Sequence, residues 1–209
     1  MNTAKTGENS TDTFMKVNTL GKKINNLSII CVTGQMAAGK NYVCSQLEEL
    51  GWLATDLDLT AHKAIELCTK EILESFKGEA ECSGILIQNS DGSVNRRNLG
   101  SLLFKNPPLL ARQESIIYPK ITELTKEFVA QNQNKRIILN ATVLFKTPEL
   151  MNLCDAIVFV KAPFFTRLIR ARNRDHLPFR QILRRFYAQK SLVKEYKKTG
   201  KAIIFVQNF

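Results

Sequence analysis

Apolar residues along this chain follow two spacings. Short runs built on Ile29-Ile30-Cys31-Val32, Trp52-Leu53-Ala54-Thr55, Arg136-Ile137-Ile138-Leu139, Ala156-Ile157-Val158-Phe159-Val160 and Ala202-Ile203-Ile204-Phe205-Val206 are too short for buried helices and read as strands. Between them the apolar positions take helical spacing. Val43, Leu47 and Leu50 fall at i, i+4 and i+7, and a helical stretch through His62, Ile65, Ile72 and Phe76 follows the second run. Lys77 to Val94 is polar and turn-rich, with Asp91-Gly92 as a tight turn. Helices are then expected from Arg96 to Lys105, from beyond Pro107-Pro108 up to Pro119, and from about Lys120 to Gln131. Five strands alternating with helices predict an α/β fold, a doubly wound parallel five-stranded sheet. The block of about residues 58–134 is longer than a single crossover needs and predicts a helical insertion covering a ligand cleft. Residues 1–26, rich in Asn, Thr and Lys, read as a disordered leader ahead of one domain over 27–209.

The first strand runs into Gly34-Gln35-Met36-Ala37-Ala38-Gly39-Lys40, which fits G-x-x-x-x-G-K. In such a loop successive backbone N–H groups and a helix N-terminus converge on a phosphate, and the lysine ammonium reaches the outer phosphates. Nucleotide binding is the leading reading. The next residue is ordinarily Ser or Thr, whose hydroxyl ligates Mg²⁺; here it is Asn41, whose amide oxygen could serve instead. Asp56 and Asp58 close the second strand, where α/β enzymes keep their ligands, although Asp is equally a helix-capping residue.

Composition narrows the setting. Of the 209 residues 44% are apolar, enough for a proper core, while the chain has neither an 18-residue apolar run nor an apolar stretch near its start. A soluble, cytoplasmic protein is expected. The five scattered cysteines, without a CxxC, read as reduced core thiols. The net charge of +11 is uneven: thirteen Lys or Arg stand against Asp175 and Glu195 from Lys161 onward, and the earlier residues carry seventeen of each sign. Such a basic segment suits an anionic partner or a solvated surface. Aromatic residues are not interleaved with the arginines as base-stacking platforms require, which argues against nucleic acid.

Within that segment Arg167, Arg170 and Arg174 share one helical face and Phe165, Leu168 and Ile169 another, so the apolar face should dock and the arginines point outward. Arg180, Arg184 and Arg185 follow on a second helix. A mobile hairpin of guanidinium groups suits closure over a triphosphate.

Taken together, VTGQMAAGK, DLDLTAH (Asp56 to His62), DGSVNRRNLGSLLFKNP, the IIYP before Lys120, and RNRD with a downstream RRFYAQ resemble the dephospho-CoA kinase family over roughly residues 27–208. The resemblance implies a P-loop kinase that uses ATP and Mg²⁺ to phosphorylate the ribose 3′-hydroxyl of dephospho-CoA. It implies ATP binding by Gly34 to Asn41 and by Arg170, Arg174 and Arg185 of a lid at about residues 164–198. It assigns Lys40 and Asp58 to catalysis, Asp58 as the group that orients and deprotonates the acceptor hydroxyl. Asp56, His62 and Arg96 fall at the acceptor, and the insertion becomes acceptor-binding.

Departures accompany the likeness. The family's acidic-Pro-Leu-Leu-Phe-Glu stretch appears as Asn140-Ala141-Thr142-Val143-Leu144-Phe145-Lys146, Tyr118 replaces a His, and Lys161 an Asp. Fewer acids near the phosphates weaken Mg²⁺ retention. Two further readings stand beside the first: a P-loop kinase of another small acceptor such as a nucleoside or nucleotide, and a catalytically impaired nucleotide-binding protein.

Overall fold

A computed structural model describes residues 17–104 and 106–208. Five strands, β1 (Ile29–Gly34), β2 (Trp52–Asp56), β3 (Arg136–Asn140), β4 (Ala156–Lys161) and β5 (Ile203–Gln207), form one sheet in the order β2-β3-β1-β4-β5. All neighbours are parallel, with Ile30 opposite Ile138 and Ala156, and Asp56 opposite Asn140. The expected doubly wound sheet is therefore observed.

Period-two alternation decides what each face carries. Ile30, Val32, Ile138, Val158 and Val160 point to one side, where α1 (Val17–Lys23) and α2 (Lys40–Glu48) cover them with Leu20, Ile24, Val43 and Leu47. Cys31, Ile137, Leu139, Ile157 and Phe159 point to the other, under α3 (Leu57–Leu67), α6 (Pro107–Gln131), α7 (Pro148–Leu153) and α10 (Leu192–Lys197). A separate core of Ile72, Phe76, Leu99, Leu103 and Leu109 joins α4 (Thr69–Ser83), α5 (Arg96–Leu103) and the start of α6, so the insertion is a helical unit with its own apolar interior. After β4 come α8 (Phe164–Asp175) and α9 (Phe179–Ala188), joined by the small cluster Ala171, Ile182 and Phe186. No helix among the described residues is long and apolar enough to cross a membrane.

Several boundaries differ from the sequence expectations. The leader does not extend to residue 26, because Leu20 of α1 and Ile24 just past its end are fully buried against α2 and the sheet; residues 1–16 lie outside the described residues. The helix after β2 is two helices that part at Cys68 (φ −96°, ψ 15°), where the Thr69 hydroxyl donates to the carbonyl of Glu66 and α4 turns into its own core. Lys77 to Ser83 is helix rather than loop, since Ala80 continues the Ile72–Phe76 face; Gly84 ends it at φ 63°, a left-handed conformation suited to glycine. Most unexpectedly, α6 runs unbroken through Pro119. Proline there removes one helical hydrogen bond and costs about 3 kcal/mol. Burial on both sides outweighs it, with Leu109 packed in the insertion core and Ile121 in the sheet core.

Parallel strands whose connections leave in opposite directions open a crevice at their carboxyl ends. Here these are β1, whose chain goes out to β2, and β3, whose chain crosses to β4. Every candidate residue on the sheet sits at this edge.

Candidate functional site

The loop from Gly34 to Lys40 joins the carboxyl end of β1 to α2. Its path requires small residues. A Cβ on Gly34 would lie 2.5 Å from the carbonyl oxygen of Val160, and one on Gly39, at φ 92°, would lie 2.0 Å from Nδ2 of Asn208. That amide donates to the carbonyl of Ala38 at 3.0 Å, so the residue after β5 clasps the loop from behind. Ala37 has φ 59°, a conformation costing roughly 1 kcal/mol for a residue with a Cβ. Gly39 precedes α2 without a side-chain cap, which leaves the first N–H groups of the helix for an anion.

A cavity of about 570 Å³ lies over this loop, lined by Ala37 to Asn41 and by Arg170, Asn173 and Arg174 of α8. The structure thus brings the phosphate loop together with two of the three predicted lid arginines. Arg185 is not in the cavity wall; its charge is felt at Asp175, whose carboxyl is held below its usual range first by the hydrogen bond from Arg174. Arg174 donates to both oxygens of Asp175, at 2.7 and 3.1 Å.

The orientation of α8 reverses the expectation. Arg167 is buried, its Nε donating to the carbonyl of Met36 at 3.0 Å and its Nη1 to Oε1 of Gln35 at 2.8 Å, whereas Phe165 and Ile169 are 74% and 61% exposed. The arginine face, not the apolar one, docks. The carbonyl and amide oxygens of the loop supply acceptors that an aliphatic face could not use. Gln189 adds a second tie, its Oε1 accepting from the N–H of Met36. Sequence reading missed Arg167, Gln189 and Asn208 as parts of the site. The arginine shared its helical stripe with Arg170 and Arg174, so a signal existed; nothing marked the other two.

Lys40 connects the halves of the site. Burial pushes its ammonium below the ordinary lysine range, while the charges of Asp58 and then Asp56 oppose that shift. Asp56 at the end of β2 and Asp58 in the first turn of α3 are therefore both within electrostatic reach of the phosphate loop. Their local roles differ. Asp56 is the N-cap of α3, its Oδ1 accepting from the Asp58 N–H at 2.9 Å. Asp58 is exposed, and among the described residues its carboxylate forms no hydrogen bond or ion pair. His62 and Arg96 are exposed on α3 and at the start of α5, and neither lines the phosphate cavity.

Asn41 meets another departure, because its Oδ1 accepts from Nδ2 of Asn140 at 3.0 Å across the β1–β3 crevice. Oδ1 of Asn140 is buried without a partner among the described residues. A divalent cation at the first turn of α2 wants a short anionic or hydroxyl oxygen; this pair is neutral, and the oxygen expected to ligate Mg²⁺ is already bonded. Among the described residues no cluster of three acids, cysteines or histidines offers a replacement. The side chains present do not fit a directly ligated Mg²⁺. Two other departures are compensated. Lys146 forms an ion pair with Glu114 of α6, and burial, reinforced by the Glu114 carboxylate, holds the Tyr118 hydroxyl above its ordinary range. The segment between them is anchored by Tyr196, whose hydroxyl accepts from the N–H of Leu144 at 3.0 Å and donates to the carbonyl of Thr142.

Comparisons with known proteins cover the same residues. The dephospho-CoA kinase (CoaE) family model matches residues 28–208. Among curated relatives, the dephospho-CoA kinase of Treponema pallidum is 37% identical over 165 residues, which is 78% of this chain and 78% of the relative. That of Treponema denticola is 35% identical over 87% of this chain and 82% of its own length. Among solved structures, the Thermus thermophilus protein TT1252 superposes with a TM-score of 0.71 at 26% identity, covering 87% of this chain and 88% of its own.

Proposed function

Because this chain belongs to the dephospho-CoA kinase family, a family of phosphotransferases, we propose that it transfers the γ-phosphoryl group of ATP to the ribose 3′-hydroxyl of dephospho-CoA, giving coenzyme A and ADP. One observation supports the assignment of roles: Lys40, half-buried in the wall of the phosphate cavity, feels the charges of Asp58 in the first turn of α3 and Asp56 at the end of β2, which joins the donor and acceptor ends of the site.

In this reading the uncapped N-terminus of α2 and the loop N–H groups hold the phosphates, and Lys40, Arg170 and Arg174 meet the charge that spreads over the transferring group. The 3′-hydroxyl oxygen forms the new O–P bond, the bond between γ-phosphorus and the bridging oxygen breaks, and ADP leaves with that electron pair. The hydroxyl proton passes to Asp58, the carboxylate with no structural partner, while Asp56 fixes the start of α3 and thereby the place of Asp58. Arg185, His62 and Arg96 serve from the rim, Arg185 through Asp175 and the other two toward the acceptor. Mg²⁺ accompanying ATP would neutralise phosphate charge without Asn41 as a direct ligand, since the Asn41 amide oxygen is bonded to Asn140. Residues 58–134 act as the acceptor-binding insertion and 164–198 as the lid. A cytoplasmic location agrees with five cysteines that are all unpaired.

The neutral Asn41–Asn140 pair favours a second reading, a nucleotide-binding protein with impaired turnover. An ADP-release assay separates the two. Dephospho-CoA should stimulate ADP release while adenosine and nucleoside monophosphates do not; equal stimulation by a nucleoside monophosphate overturns the acceptor assignment, and ATP binding without release under any acceptor selects the second reading.

A further inference from the structure

A second cavity, of about 580 Å³, opens between α8 and α9 and meets the phosphate cavity at Gln35, which lines both. Its wall holds three cations, Arg167, Arg184 and Lys190, with Phe164, Phe186 and Tyr187, and no acidic side chain. Each cation is seated on a ring rather than on a carboxylate. The Arg167 guanidinium lies 4.2 Å from the ring centroid of Phe186, the Lys190 ammonium 3.9 Å from that of Tyr187, and the Arg184 guanidinium 5.2 Å from that of Phe104 just beyond α5. An aromatic face orients a cation without neutralising it, so the donors keep their charge for an anion.

Arg167 sharpens the point. It is buried, its oxygen partners are the neutral groups of Met36 and Gln35, and its Nη2 has no hydrogen-bond partner among the described residues. A buried guanidinium without a counter-charge is costly, and a nearby anion lowers that cost. Resting on the proposed function, the bookkeeping of charge then divides in two. Two polyanions must lie close together during transfer, and Lys40, Arg170 and Arg174 serve ATP. The acceptor has a diphosphate of its own, joined to a long, largely apolar amide arm.

We propose that the groove between α8 and α9 is the seat of the acceptor's diphosphate, with Arg184 and Lys190 meeting its charge and the Phe164 and Tyr187 side chains lining the path of the arm. The contact of Arg184 with Phe104 sets this groove against the helical insertion, so acceptor and lid are ordered together. Arg184 and Lys190 are exposed and lie outside the cores, so both can be truncated without emptying one.

The test is a pair of equilibrium titrations on the full chain, one with dephospho-CoA and one with ATP, with adenosine as the probe lacking a diphosphate. In the Arg184→Ala/Lys190→Ala double variant the Kd for dephospho-CoA should rise by roughly 10- to 100-fold, as expected for the loss of two charge-assisted contacts, with ATP held within about twofold. Adenosine binding should not change, and the charge-keeping Arg184→Lys/Lys190→Arg variant should restore most of the affinity. Unchanged dephospho-CoA affinity in the alanine variant overturns the proposal, as does equal weakening of dephospho-CoA and adenosine. Wild-type protein that binds ATP but not dephospho-CoA refutes the acceptor reading itself and the groove with it.

Discussion

The sheet and the α8–α9 hairpin are held by different forces. The α2 face of the sheet is dry: Ile30, Val32, Val43, Leu47, Val158 and Val160 are fully buried and touch aliphatic neighbours. The hairpin has Ala171, Ile182 and Phe186 at its centre, and it reaches the rest of the site through Arg167, Gln189 and stacked cations, with Phe165 and Ile169 left in solvent. Apolar burial is non-directional and rewards any good fit, whereas hydrogen bonds and ring contacts hold only one arrangement. The comparison teaches where a phosphate-transfer site can be rigid and where it can move. Loop and carboxylates sit on the sheet; the arginines sit on the part with little apolar burial, the kind of element that opens locally.

The strongest way to break this division is at the residue of the sheet side that shares a cavity wall with the arginines of α8. Lys40→Ala should lower turnover by about 10³-fold or more, because it removes the charge on the outer phosphates, while a thermal melt stays close to that of the parent. Loss of folding instead of turnover would make Lys40 part of the core. The division of forces predicts unequal penalties for equal truncations. Leu47→Ala should cost about 3 kcal/mol in denaturant unfolding. Ile182→Ala should cost roughly 1 kcal/mol or less in the same experiment and show itself mainly as faster amide exchange over α8 and α9. Equal global penalties would show that the hairpin belongs to the sheet's cooperative unit.

The carboxylate pair sharpens the comparison at one strand end. Asp58→Asn should reduce turnover by roughly 10²-fold with stability unchanged, since the cap of α3 belongs to its neighbour. Asp56→Ala should do the reverse in the first instance, costing about 1 kcal/mol of stability through the lost cap. A normal rate per folded Asp58→Asn molecule removes it from catalysis. The smallest effect is expected at Asn41. Asn41→Thr should lower the Mg²⁺ concentration for half-maximal turnover by about threefold, because a short hydroxyl freed from Asn140 offers the metal an oxygen. An identical Mg²⁺ curve would place the metal away from the first turn of α2.

What the sequence reveals follows the same line. The five strands were legible because a run of Ile, Val and Phe between polar turns has few other uses, and the glycine loop because backbone geometry restricts its residues. Pro119 misled because a local rule about hydrogen bonding is overridden by burial from two different cores, a fact that belongs to the assembled fold. The stripe of arginines on α8 was visible, but its direction was not: spacing shows that two faces differ, not which one meets the loop. Only the loop's exposed oxygens, at Gln35 and Met36, decide that. The Asn41–Asn140 bond joins two departures that looked independent in the sequence because ninety-nine positions separate them.

The clasp of Asn208 on Ala38 has a consequence in time. These partners are 170 positions apart, so during synthesis the phosphate loop leaves the ribosome long before the residue that closes it from behind. At roughly 5–20 residues per second the delay is on the order of ten to thirty seconds. For the greater part of that interval β1 also lacks its neighbours β3 and β4, and until β4 is made the nascent loop has no wall against which to hold its left-handed turn. The clasp behind the loop closes only once β5 has docked, so the loop's finished wall waits on a residue made far downstream of it.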